Sequence, residues 1–221
     1  MRDAGRERAA KLAQRSNRPS QRRTARGHDS RAAAVVQARM SVSQGDSGSA
    51  TVSFVGLASA YEKPYEMYDY FGPYEEVVSA GAGSKSLARA DLDVPLVLQH
   101  DPLRRLARTT NGSLTLTETA AGLEVRAPHL SSEDRDVAYI IPKLEAGLID
   151  EMSFAFRIVR GSWSPDYTEY RIDEYDIHRG DVAIVGYGAN PATAAELRQP
   201  VKTGRELISI ADTRMVPLVP R

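Results

Sequence analysis

Between residues 51 and 185, short stretches that alternate apolar and polar residues follow one another, and only one stretch carries a helical period. Alternation at period two puts one set of side chains on a buried face and the other toward water, so a chain with many such stretches must build sheets. "TVSFVGLAS" at 51–59 reads as a strand. "SLTLTET" and "GLEVRAPHL", joined through "AAG", predict a hairpin. "VPLVLQH" at 94–100 is a short apolar run that ends in a histidine, and "NGS" at 111–113 signals a turn. "GLIDEMSFAFRIV", "YRIDEYDIH" and "DVAIVGYG" predict three more strands, with "WSPDYTEY" as the turn after the first. The segment "YEKPYEMYDYFGPYEEVV" holds five tyrosines and two prolines and predicts an ordered loop carrying amphipathic rings.

The helical stretch is 132–149. Ser131 or Ser132 would cap it, and Val137, Ile140, Ile141, Leu144 and Leu148 would form its apolar stripe. Pro142 costs an interior hydrogen bond and predicts a kink or a shorter helix. Together these elements predict an α+β domain over about 51–193, mostly of antiparallel strands, with the helix just before Ser153.

The ends differ from this body. Residues 1–40 carry eleven Arg and Lys against three Asp and Glu, whereas the other 181 residues carry 18 against 26. Residues 1–48 contain no aromatic residue and predict a basic, disordered arm, because they cannot bury enough apolar surface to offset the entropy of ordering. Residues 194–221 predict a tail. The arm has the Arg-rich look of a transit peptide, but Pro19 and "SNRPSQRR" interrupt any long amphipathic helix, so a disordered arm ranks first. It lacks an apolar run of the secretory type, and no stretch is long and apolar enough for a membrane span. The absence of cysteine suits a cytosolic protein and excludes disulfides, thiolate metal sites and a cysteine nucleophile.

"DEMSFAFRIV" at 150–159 places one hydroxyl in an apolar strand. Met152, Phe154 and Phe156 share the core face, and Ser153, Ala155 and Arg157 share the other. On periodicity alone, Ser153 is a polar residue on a half-exposed face. A nucleophilic serine needs a base and a group that orients the base. Of the four histidines, His28 lies in the arm and His129 at a hairpin end, both without a partner in the pattern. His100 terminates an apolar strand and is the candidate base; Asp101 beside it would point to the opposite face. Asp173, Glu174, Asp176, His178 and Asp181 are the candidate orienters. There is no G-x-S-x-G elbow, no H-E-x-x-H, no P-loop and no G-x-G-x-x-G, so no cofactor or metal is expected. The arm is also able to bind nucleic acid by counterion release, an option no stronger than that of a solvated tail.

Taken together, "ASAYEKPYEMYDYFGPYEEVV", "VLQHDPLRRLARTTNGSLTLTETAAGLEVRA", "LEAGLIDEMSFAFRIV" and "IHRGDVAIVGYGANPAT" resemble, in this order, the tailed-phage prohead serine proteases over about residues 51–193. That family is similar in fold to the herpesvirus assemblins. The resemblance implies a β-barrel-like core surrounded by helices. It implies a serine endopeptidase that digests scaffold and trims major capsid protein, and itself, inside the assembling prohead in the host cytoplasm. It makes Ser153 the nucleophile, His100 the base and Asp181 the third member, with His178 the rival because assemblins use a second histidine there. Assemblins dimerise, and the resemblance extends to self-association as a dimer. The sequence departs from the family pattern at Gln99, where asparagine is usual, at Gly81-Ala82-Gly83, and at Ala183, where serine is usual. Backbone N–H groups near Gly186–Gly188 are the expected oxyanion donors. A non-catalytic capsid-assembly protein with the same fold, and a nucleic-acid module working through the arm, are the competing readings.

Overall fold

The computed structural model describes residues 39–44, 50–69 and 71–188, together with Pro19. The rest of the expected arm, with His28, and the expected tail lie outside the described residues. The described chain forms ten strands: β1 Arg39–Gln44, β2 Ala50–Ala60, β3 Tyr65–Asp69, β4 Gly72–Val78, β5 Pro95–Leu98, β6 Arg105–Arg108, β7 Thr115–Glu118, β8 Gly122–Ser131, β9 Glu151–Trp163 and β10 Glu169–Val185. Two helices accompany them, α1 Ser84–Leu87 and α2 Arg135–Glu145.

The strands make two sheets, one ordered β1-β2-β8-β7, the other β3-β4-β10-β5-β6 with β9 also on β10. Neither sheet closes on itself, so the closed barrel implied by the resemblance is not found; the fold is α+β and dominated by strands. β10 organises the second sheet. It is 17 residues long, and β4 pairs with its first part and β5 with its last part, both in parallel. β9 runs antiparallel along the whole opposite edge. The second sheet is therefore mixed where alternation suggested antiparallel pairing, because period two reports burial of a face and not strand direction. "YRIDEYDIH" and "DVAIVGYG" are two halves of this one strand, joined across a bulge between Asp176 and Asp181.

The main core fills the space between the sheets: Phe54, Leu123 and Val125 come from one, Met152, Ile172, Ile177 and Ile184 from the other. Three expectations need correction. The segment 39–44, expected in the arm, pairs as β1 with β2 at the edge of the first sheet. The tyrosine-rich segment is the β3–β4 hairpin, not a loop. There Tyr65 and Tyr74 direct their hydroxyls onto the buried Glu76, which lets large rings enter the core with their polar ends paired. The helix is capped by Asp134, not by Ser131 or Ser132: its carboxylate accepts the N–H groups of Asp136 and Val137 at 2.8 and 3.1 Å. α2 runs through Pro142 to Glu145, and Leu148 falls outside it and is exposed.

At Gly122 the backbone has φ +150, and a Cβ there would lie 1.8 Å from the Ser59 carbonyl oxygen. Both the conformation and the space exclude a side chain. Gly122→Ala is expected to destabilise the protein by about 2 kcal/mol or more, read as a fall in the denaturant midpoint.

Candidate active site

β10 lies between β9 and β5, and the registers define rows across the three strands. Ser153 pairs with Ala183, and Ala183 with Val97. Residues paired in register point to the same face, so these three side chains form one row. The adjacent row holds Ala155 and Asp181, and the row on the other side holds Glu151 and Val185. Ser153 and Asp181 therefore share a face, as strand parity requires for positions 153 and 155. Val97, Ala183 and Val185 form a small buried cluster on this face, separate from the main core on the other. Ala183, directly beside Ser153, is fully buried.

His100 follows β5. Gln99 and His100 both have left-handed backbones, with φ of 54 and 56, and Asp101 N–H donates to the Leu98 carbonyl at 3.0 Å to close the turn. The turn folds the imidazole back over the sheet, where Nδ1–H donates to Asp181 Oδ1 at 2.7 Å. The pair is accessible, with His100 38% and Asp181 19% exposed. Ser153 is half-buried and its hydroxyl makes no hydrogen bond among the described residues.

The other candidate orienters go elsewhere. Asp173 meets Arg160 at 3.2 Å and Glu174 meets Lys85 at 2.9 Å. Asp176 accepts from Ser86, from the His178 N–H and from Arg157. Burial opposes ionisation of Asp176, but those three donors outweigh it and hold the carboxyl below the usual range. Asp101 accepts the Leu103 N–H. His178 turns its Nδ1 to the Asp93 N–H at 3.3 Å. The bulge over residues 177–180 decides this, since it separates His178 from Asp181 by more than simple strand parity would. Gly180 makes the bulge possible: a Cβ on it would lie 1.8 Å from the Ala155 carbonyl oxygen. Gly180→Ala is thus expected to push β9 from β10 at the Asp181 row and to destabilise by about 2 kcal/mol, a shift read in thermal melts.

The expected oxyanion donors are engaged otherwise. Gly186 N–H donates to Gln99 Oε1 at 3.0 Å, and Gly188 N–H donates to Glu151 Oε2. Gln99 and Glu151 were not singled out by pattern; the only signal was that Gln99 departs from the resembled family. Among the described residues, no group of three or more His, Asp or Glu side chains converges in a way that would hold a metal ion. The fold does bring the His100 imidazole and the Asp181 carboxylate together, on the sheet face that also carries the Ser153 side chain. The family model described as Caudovirus prohead serine protease matches residues 38–205. No curated protein and no solved structure matches the chain.

Proposed function

The chain belongs to the caudovirus prohead serine protease family, and from that premise we propose that it is an endopeptidase of head maturation with Ser153, His100 and Asp181 as its catalytic groups. The observation that carries this reading is the His100–Asp181 hydrogen bond, made on the sheet face that Ser153 shares. His100 Nε2 takes the Ser153 proton as Oγ attacks the peptide carbonyl. The tetrahedral intermediate collapses as His100 returns that proton to the leaving amine, which breaks the C–N bond and leaves an acyl-serine. Water, deprotonated by the same imidazole, releases the acid and restores Ser153. Asp181 holds the Nδ1–H tautomer and stabilises the imidazolium between the steps. His178 is the weaker choice for the third member because its ring faces Asp93.

On this reading the substrates are scaffold, major capsid protein and the chain itself, cut inside the assembling prohead, with self-association as a dimer. The basic segment before β1 then recruits the protease to an acidic surface of the shell proteins. Intact-mass spectrometry of wild type beside Ser153→Ala, each alone and co-expressed with the major capsid protein, tests the activity. Fragments in the wild type only, with termini that name the cleavage sites, are the expected result. Identical intact masses under both conditions would favour the capsid-assembly reading and reject the enzyme.

A further inference from the structure

We propose that Gln99 is a positioning residue for His100. Its side-chain carbonyl replaces its own backbone carbonyl in the β5–β10 ladder, which frees the backbone to turn where the imidazole must leave the strand. The inference rests on the triad reading above.

The parallel register pairs Leu96 with Val182, Val97 with Ala183 and Leu98 with Ile184. Continued by one residue beyond β5, this register would set Gln99 opposite Val185. In a parallel ladder, a residue donates its N–H to the residue before its partner and accepts from the residue after it. Gln99 makes the first half normally, donating to the Ile184 carbonyl at 2.9 Å. For the second half, Gly186 N–H meets the side-chain Oε1 of Gln99 at 3.0 Å, and not its backbone oxygen. The left-handed backbone at Gln99 and His100 turns the main-chain carbonyl away. Such a conformation is unfavourable for any residue with a Cβ, so two in succession need something that rewards them. The carboxamide supplies it. Without that acceptor, the Gly186 N–H is best satisfied by a return of Gln99 to extended backbone, and that would carry His100 off Asp181.

The test compares Gln99→Met, of similar length but without a carbonyl, with Gln99→Glu, which keeps an acceptor oxygen at the same reach. The substrate is a synthetic peptide spanning a cleavage site found by mass spectrometry. Gln99→Met is expected to lower kcat about 10-fold or more with KM within about twofold, since misplacement of a catalytic group acts on the chemical step. Gln99→Glu should recover most of that loss. Long-range proton–nitrogen spectra should show His100 as the Nδ1–H tautomer in wild type and Gln99→Glu, and as a mixture in Gln99→Met. A Gln99→Met variant with wild-type kcat and tautomer overturns the proposal. If the wild type cleaves nothing, the triad reading fails, and the tautomer comparison still decides the role of Gln99. If Gln99→Met does not fold, amide exchange in the wild type decides: the Gly186 N–H must be protected, and rapid exchange there overturns the proposal.

Discussion

Ser153→Ala is expected to lower proteolysis by roughly 10^4-fold or more, the scale seen when the nucleophile of a serine triad is lost. The same substitution should leave stability almost unchanged. Ser153 is half-buried, its hydroxyl has no partner among the described residues, and alanine keeps the Cβ that packs beside Ala183. Removing an unpaired hydroxyl from a partly wet face costs little, and alanine is compatible with a strand. The discriminating result is thus a dead enzyme with a wild-type melting curve. Activity that survives in Ser153→Ala would move the nucleophile elsewhere or remove the enzyme reading entirely.

Asp181→Asn is the second large effect, expected at roughly 10^3–10^4-fold in kcat. Asparagine preserves the shape of the side chain beside His100, but its amide is able to donate as well as accept. The imidazole is then no longer held with its proton on Nδ1, and on the proposed mechanism Nε2 is no longer reserved as the base. His178→Ala is the matched control. The His178 ring makes one long bond, to the Asp93 N–H at 3.3 Å, so activity should stay within a few-fold and stability within about 1 kcal/mol. A silent Asp181→Asn beside a dead His178→Ala would reverse the assignment. Both variants need circular dichroism alongside the kinetics, because Asp181 sits at the edge of the bulge that joins the two halves of β10.

The same bulge explains why the third member stayed open on sequence grounds. Asp173, Glu174, Asp176, His178 and Asp181 lie on one strand within nine residues, and alternation sorts them only by face. Three irregularities in the β9–β10 register break even that sorting. Arg160, Lys85 and Arg157, from β9 and α1, take up three of the acids. The tyrosine-rich hairpin eluded the pattern for a related reason. Its rings look amphipathic one by one, and only the buried Glu76 that pairs with the Tyr65 and Tyr74 hydroxyls shows that these two are core.

The sequence by itself determined most of the strands of the body, that the helix precedes β9, that Met152 faces the core while Ser153 faces away, and which family the chain resembles. These are local properties, carried by alternation over a few residues or by a run of characteristic letters. Only the tertiary structure decided that β4 and β5 pair in parallel along one edge of β10, that the sheets stay open, and that Gln99 completes a rung with its side chain. It also decided that Asp181 is the acid beside His100. That contact joins residues 81 positions apart. Its geometry involves a left-handed turn at Gln99 and His100 and a bulge beside Gly180, and neither leaves a periodic trace in the chain.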